Sequence, residues 1–111
     1  MMKKYLGAAI GNCVHVGGIV NFLRLAEQEG HQTSFLGPAV SIDKLVEKTI
    51  EIKPDVVAIG FRLTPRNVEP LLKELEMHIQ EKGLTDIKWI FGGTKPVAEV
   101  AGKFPYLSAI F

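Results

Sequence analysis

The sequence predicts an α/β fold: a parallel five-stranded sheet with helices on both faces. Short apolar runs alternate with segments of helical periodicity along all 111 residues, and this alternation is typical of parallel strand–helix–strand units. The run Val56-Val57-Ala58-Ile59 is apolar at every position, as expected for a strand that is covered on both faces. Glycine or proline interrupts the chain between many of these segments, where it must turn.

The first half of the chain predicts two strands and two helices. Tyr5 to Ile10 form an apolar first strand that leads into a glycine-containing turn from Gly11 to Gly18. The helix that follows ends at Gly30, because glycine readily takes the left-handed conformation found at helix C-termini. Ser41 suits the N-cap of the second helix, since its hydroxyl can accept a backbone hydrogen bond. The other residues that define these elements are Val20, Leu23 and Ala26 in the first helix, Thr33, Phe35 and Leu36 in the second strand, and Leu45, Val46, Thr49 and Ile50 on the apolar face of the second helix.

The second half predicts three strands and two helices. Asn67 is placed to cap a long helix that Gly83 ends. The apolar face of this helix consists of Val68, Leu71, Leu72, Leu75 and Ile79. The remaining elements are the strands Val56–Ile59, Ile87–Phe91 and Leu107–Phe111, the turn Gly92-Gly93 and a short helix Pro96–Lys103.

The order of the strands follows from the rules for parallel sheets. Right-handed crossovers leave few topologies, of which the flavodoxin-like (Rossmann-like) order 2-1-3-4-5 is the most common for five strands. No internal repeat or linker divides the chain, so we expect residues 1–111 to form a single domain. The C-terminal helix that normally covers the fifth strand is absent. We therefore expect an N-terminal fragment of a longer protein, or a chain that packs its uncovered fifth strand on a partner or a second copy.

Composition and charge exclude several classes of function. The net charge is +1 and no Lys/Arg stripe follows one face, which argues against a nucleic-acid partner. No segment approaches the roughly 20 apolar residues that span a bilayer, so we expect no membrane association. Cys13 is the only cysteine, which excludes a disulfide framework and suits a reducing, cytoplasmic location.

Three loops are expected to form a binding site. In open parallel sheets, ligands bind beyond the carboxyl ends of the strands, at the point where the strand order reverses. That point lies between the first and third strands here, and the loops around it are Gly11–Gly18, Gly60–Arg66 and Gly92–Lys95. Each contains glycine, which lets a ligand approach the backbone closely.

Several side chains have two interpretations. His15 is either a solvated or capping residue, the more common role for a loop histidine, or a metal ligand, since neutral imidazole is the commonest metal ligand in proteins. Cys13 is either a small buried apolar residue or a thiolate stabilised by the adjacent helix N-terminus. Arg62 either binds a polar group of a ligand or is solvated. His31 and His78 are expected to be structural or solvated.

Nucleotide-binding and phosphoacceptor patterns are absent from the sequence. The chain contains neither G-x-x-x-x-G-K-[ST] nor G-x-G-x-x-G after its first strand. A phosphoacceptor receiver domain would need acidic residues where this chain has Asn12-Cys13 and Gly60. A phosphotransferase subunit phosphorylated on Cys13 remains a remote alternative, because the loop lacks the dense glycine and hydroxyl residues that wrap a phosphate.

Three short motifs lie at a characteristic spacing along the chain. The first motif is Cys13-Val14-His15-Val16-Gly17-Gly18, the second is Gly60-Phe61-Arg62 and the third is Gly92-Gly93. Residues 19 to 59, 41 in number, separate the first motif from the second, and residues 63 to 91, 29 in number, separate the second from the third. This arrangement resembles the cobalamin-binding domain family shared by methionine synthase, corrinoid methyltransferase proteins and carbon-skeleton mutases, whose pattern is D-x-H-x-x-G, S-x-L and G-G. The resemblance covers most of the chain and extends to Glu29-Gly30-His31 and Leu63-Thr64-Pro65.

The resemblance implies that cobalamin binds with its nucleotide tail in a channel between the sheet and the first helix. His15 would replace the tail base beneath the cobalt and act as the metal ligand. The cofactor-binding residues that the resemblance implies are Asn12, Cys13, Val14, His15, Gly18, Gly60, Arg62, Thr64, Gly92 and Gly93.

The chain departs from the family pattern at three of these positions. Cys13 stands where the family has aspartate, Gly60 where it has serine and Arg62 where it has leucine. A carboxylate partner raises the basicity of a ligating imidazole, and disturbing such a partner costs about 10–100-fold in metal affinity or activity. We therefore expect His15 to be a ligand without its usual partner.

Two functions follow from the resemblance. The first is a module that holds methylcobalamin or adenosylcobalamin for a catalytic partner protein or a missing C-terminal region, which catalyses methyl transfer or radical isomerisation. The second is a degenerate domain with a regulatory or subunit-contact role and no cofactor. An open channel lined by Gly60 and Gly92 would favour the first, and a channel filled by Phe61 or Arg62 the second. The sequence contains no acid/base constellation, so we expect no turnover by this chain alone.

Overall fold

A computed structural model describes residues 2–111, which fold into a five-stranded parallel sheet flanked by four helices. The strand order β2-β1-β3-β4-β5 confirms the predicted flavodoxin-like topology. The elements are β1 (Lys4–Ala9), α1 (Gly17–Gln28), β2 (Gln32–Phe35), α2 (Ile42–Ile52), β3 (Val56–Gly60), α3 (Pro65–Glu81), β4 (Lys88–Gly92), α4 (Lys95–Ala101) and β5 (Leu107–Ile110). Within the described residues, no helix follows β5 and no helix has the length and apolarity to cross a membrane.

The helices are divided unequally between the two faces of the sheet. Helices α2, α3 and α4 pack on one face, where Trp89 and Phe91 of β4 are almost fully buried. Helix α1 packs alone on the other face and covers Val56 and Ala58 of β3. Every residue of β3 is buried, which confirms the prediction drawn from its continuous apolar run. Part of the α1 face, toward β4 and β5, is left without a covering helix in residues 2–111.

The predicted helix-end residues Gly30, Ser41 and Gly83 are confirmed, whereas α3 begins earlier than predicted and α4 spans Lys95–Ala101 instead of Pro96–Lys103. The hydroxyl of Ser41 accepts a hydrogen bond from the backbone N–H of Lys44 at 3.1 Å, and Gly30 and Gly83 both have positive φ. Asn67 was the expected N-cap of the long helix, but this helix begins two residues earlier, at Pro65. Proline suits the first helical position, because its fixed φ is helical and the backbone N–H that it lacks would have no helical partner there.

Two further predictions need small corrections. Ile50 is 45% exposed and therefore does not belong to the apolar face of α2. The neighbouring Thr49 is fully buried, and its hydroxyl donates a hydrogen bond to the carbonyl of Leu45 at 2.7 Å. The buried face of α2 therefore includes position 49, whereas position 50 faces solvent. Strand β1 ends at Ala9, because Ile10 forms only an isolated bridge with Val40.

Gly7 of β1 determines how closely α1 approaches the sheet. A Cβ atom at position 7 would lie 2.7 Å from Cγ2 of Ile19 and 2.9 Å from Cδ1 of Leu23, both on α1. We expect Gly7→Ala to lower the free energy of unfolding by about 1–3 kcal/mol, because the added methyl overpacks this contact. Thermal or urea unfolding measures the change. Gly17→Ala is the control, since a Cβ there would have no neighbour within 4 Å; equal stability of the two variants would contradict the prediction.

Tyr106 anchors the segment before β5 to α3. Its hydroxyl donates a hydrogen bond to the carbonyl of Leu72 at 2.9 Å. Burial, with a smaller contribution from the charge of Glu76, raises the pKa of this phenol well above its usual range. The hydroxyl therefore stays neutral and serves as a structural donor.

Candidate functional site

A cleft of about 350 Å³ opens at the carboxyl ends of β3 and β4, beside the first turns of α1. Six of the residues expected to bind a cofactor line it, namely His15, Gly18, Gly60, Arg62, Gly92 and Gly93. They come from all three loops that the sequence placed at the switch point of the sheet. The three loops converge on one cleft as the sequence predicted, because the strand order brings them together.

The other four expected residues lie outside the lining of the cleft. Asn12 and Val14 are exposed on the first loop, and Thr64 is exposed at the N-cap position of α3. Cys13 is fully buried behind His15. Burial also removes the thiol of Cys13 from any incoming phosphodonor, which argues against a phosphorylated cysteine.

The body of the cleft is apolar, and most of its residues were not predicted from the sequence. Ile19 and Phe22 of α1 form one wall. The other apolar residues that line the cleft are Ala58, Ile59, Ile90, Phe91 and Phe111. Phe61 lies on the opposite face of the sheet, in the core with α3 and α4. The side chain of Phe61 therefore does not fill the cleft, and the channel is open.

Two glycines leave space in the cleft. A Cβ atom placed on Gly18 or Gly92 would have no neighbour within 4 Å, so any side chain at these positions would extend into open volume. Gly93 is different, because a Cβ there would lie 2.5 Å from the carbonyl oxygen of Phe61. The first two glycines keep the cleft open, whereas Gly93 permits two loops to pack against each other.

Cys13 contacts the imidazole of His15. Its Sγ lies 3.6 Å from Nδ1 of His15 and accepts a hydrogen bond from the backbone N–H of Arg62 at 3.4 Å. His15 was expected to lack its usual carboxylate partner, and the sulfur atom of Cys13 lies beside Nδ1 instead. Because Nδ1 faces the sulfur, Nε2 is the ring nitrogen available to a ligand, and the imidazole as a whole is exposed at the mouth of the cleft.

A family model described as the B12 binding domain matches residues 3–102. The chain belongs to the B12-binding domain family.

Two proteins are similar to this B12-binding domain. The chain is 28% identical over 106 residues to D-ornithine 4,5-aminomutase subunit beta of Acetoanaerobium sticklandii, a match that covers 90% of this chain and 14% of that protein. It superposes on a novel cobalamin-binding protein from Desulfitobacterium hafniense DCB-2 with a TM-score of 0.81 and 24% identity, over 98% of this chain and 52% of that one. The structural likeness establishes the fold. The chain spans about one-seventh of the curated relative and about half of the solved structure.

In this B12-binding domain, Gly60 stands where the family pattern has serine, and α1 packs closely against this position. A Cβ atom on Gly60 would lie 3.1 Å from Cγ1 and 3.2 Å from Cδ1 of Ile19. A serine here would have to displace Ile19 by a few tenths of an ångström, so the pair of Gly60 and Ile19 replaces a hydroxyl with a tighter apolar wall. The sequence showed the substitution but could not show the contact, because the two residues are far apart in the chain.

The remaining histidines lie outside the cleft of the B12-binding domain. Nδ1 of His31 accepts a hydrogen bond from the backbone N–H of Lys3 at 3.0 Å. Nε2 of His78 lies 3.4 Å from Oδ1 of Asp43, with Glu74 nearby. Both have structural contacts, as the sequence analysis expected.

Proposed function

We propose that this domain binds cobalamin, with the nucleotide tail in the cleft beside α1 and His15 as the lower ligand of the cobalt. The observation that carries the proposal is the convergence of His15, Gly18, Gly60 and Gly92 on one open cleft in a member of the B12-binding domain family. The open cleft also argues against a degenerate domain, since Phe61 packs in the core on the other face of the sheet and Arg62 is exposed and lines the cleft without filling it.

The residues present fit such a ligand in shape and polarity. A cleft of about 350 Å³ is at the lower end of the range for small-molecule sites, so it would suit one part of a large cofactor, such as its tail. Gly18 and Gly92 offer bare backbone to the ligand, and the apolar side chains of Ile19 and Phe22 would pack on the tail base. Among the described residues, 2–111, Arg62 alone brings a permanent charge to the cleft lining, and it would face the polar groups of the tail.

The chain contributes binding and positioning, and the cofactor supplies the cobalt chemistry when bound. His15 would hold the cobalt from below through Nε2, and the lining glycines would fix the tail. We assign the reaction itself to a catalytic partner protein or to a further region of a longer chain. The name of the aminomutase relative favours isomerisation over methyl transfer for that reaction, and adenosylcobalamin is the form used in radical chemistry.

The surface around the cleft suits a larger assembly. Phe111 is 73% exposed at the cleft edge, and the part of the sheet face toward β5 has no covering helix in the described residues. We propose that a catalytic partner, or a second copy of the chain along β5, covers this side. A single buried thiol and no disulfide suit a cytoplasmic location.

Cofactor binding can be tested with the purified chain. After incubation with adenosylcobalamin or methylcobalamin and removal of free ligand by gel filtration, we expect bound corrinoid with a spectrum changed by imidazole ligation. In His15→Ala the spectral change should disappear while the protein remains folded. His31→Ala is the matched control and should behave as wild type. Absence of bound corrinoid would reject the function, and a spectrum insensitive to His15→Ala would reject the ligand assignment.

A further inference from the structure

We propose that the cleft beside α1 selects corrinoids by the base of their nucleotide tail. It favours a base that only accepts hydrogen bonds, such as dimethylbenzimidazole, over a base that also donates, such as adenine. The inference rests on the proposed function, since it takes the tail to lie in this cleft. It goes further by naming the class of corrinoid that the cleft accepts.

The side chains of the cleft offer no acceptor to a donor group on the base. Within residues 2–111, the lining contains no hydroxyl, amide or carboxylate side chain. Its two polar side chains are His15 and Arg62, and both are exposed. A guanidinium group only donates hydrogen bonds, and in the proposed function the available nitrogen of His15 is committed to the cobalt. Every other side chain of the lining is apolar.

Gly60 removes an acceptor that the family pattern would supply. Serine stands at this position in that pattern, and its hydroxyl could accept a hydrogen bond from a ligand. In this chain Ile19 packs there instead, since a Cβ atom on Gly60 would lie 3.1 Å from Cγ1 of Ile19. The wall of the cleft therefore presents a methylene group close to the place where the family pattern has a hydroxyl.

The backbone of the cleft also offers donors rather than free acceptors. The carbonyl of Gly60 already accepts from the N–H of Ile10 at 3.0 Å, and the carbonyl of Gly92 accepts from the N–H of Phe61 at 3.1 Å. Both carbonyls are thus directed at a neighbouring segment of the protein. In the first turn of α1, which includes Gly18, the backbone groups without a helical partner are N–H donors.

These features make the hydrogen-bonding character of the base decisive. The tail base dimethylbenzimidazole has a ring nitrogen that accepts and no N–H group, so it matches a cleft that offers only donors. Adenine carries an amino group that would lose its hydrogen bonds to water and find no acceptor in exchange. Because a buried donor without a partner is costly, we expect the adenine corrinoid to bind about 10–100-fold more weakly.

The preference can be measured with two corrinoids that share the same upper ligand. The purified chain is titrated with adenosylcobalamin and with adenosylpseudocobalamin, whose tail base is adenine, and bound corrinoid is determined by equilibrium dialysis. We expect the dissociation constant to be about 10–100-fold higher for the second. Equal affinities, or tighter binding of the adenine form, would overturn the selectivity and leave the proposed function standing. Binding of neither corrinoid would reject the proposed function together with the selectivity.

Ala58→Ser tests the cause of the preference. Ala58 is buried on β3 and lines the cleft, and serine adds an acceptor there with little change in volume. We expect the ratio of the two dissociation constants to fall by about 3–10-fold, a comparison with the wild type in which any difference between the free cofactors cancels. Ala98→Ser, on α4 and outside the lining, is the control and should leave the ratio unchanged.

Ile90→Thr provides the same test from the neighbouring strand. Ile90 of β4 lines the cleft and is the register partner of Ala58, so its variant replaces Ala58→Ser if the latter does not fold. The ratio should again fall by about 3–10-fold. A ratio that stays at the wild-type value in the folded variant would show that the missing acceptor does not cause the preference, and the inference would then be wrong.

Discussion

Gly18→Leu is expected to reduce the affinity for cobalamin by at least about 100-fold, which corresponds to about 2.8 kcal/mol, while leaving the fold intact. Gly18 lies in the first turn of α1 and lines the cleft, and a Cβ atom there would meet nothing within 4 Å. The leucine side chain would therefore enter the cleft and occupy volume that the nucleotide tail needs. Equilibrium dialysis or a spectroscopic titration with adenosylcobalamin measures the loss.

The neighbouring residue provides the control for this variant. Gly17 also lies in the first turn of α1 in open space, but it does not line the cleft. Both substitutions remove a helical glycine, which should add up to about 1 kcal/mol to stability through helix propensity. Gly17→Leu should bind cobalamin as the wild type does. If both variants bind equally well, the cleft beside α1 does not hold the cofactor.

Gly93→Ala is expected to lower the free energy of unfolding by about 3 kcal/mol, at the upper end of the cost of overpacking. The added Cβ would lie 2.5 Å from the carbonyl oxygen of Phe61 and 3.0 Å from Cε1 of Phe91. A backbone oxygen cannot move aside by changing a rotamer, so the loops after β3 and β4 must separate. The melting temperature should fall by about 12 °C, since 1 kcal/mol corresponds to roughly 4 °C in a domain of this size.

Gly92→Ala is the control for this second prediction, because its Cβ would have no neighbour within 4 Å. We expect its melting temperature to stay near that of the wild type. Calorimetry or circular dichroism of the pair measures the difference. Equal melting temperatures would show that the contact between Gly93 and Phe61 relaxes without cost.

The topology and the convergence of the three loops on the candidate site were predictable because both depend on patterns that are local in sequence. The continuous apolar run of β3 indicated a central strand, and the glycines at strand ends indicated loops that must converge at the switch point. Helix ends were predictable where one residue decides them, as at Gly30 and Ser41. At the start of α3, the sequence contains both a proline, Pro65, and a possible N-cap residue, Asn67, within three positions. The helix begins at Pro65.

The details of the site depend on contacts between residues distant in sequence. The bond between Cys13 and the backbone of Arg62 joins residues 49 apart, and no periodicity reveals it. The apolar wall was missed for a similar reason, since Ile19 and Phe22 look like ordinary core residues of an amphipathic helix. Only the position of α1 over one part of the sheet turns them toward an open cleft.

Because α1 alone packs on one face of the sheet, a ligand bound beside α1 would contribute to the stability of the folded domain. A molecule seated beside α1 would complete the apolar layer over Ala58 and Ile90, and the native state alone offers that seat. Binding would then stabilise the domain by mass action, by about 2.7 kcal/mol when the free ligand is at 100 times its dissociation constant. Amide hydrogen exchange in β4 and β5 should slow accordingly, so the cofactor would serve this small domain as an additional structural layer.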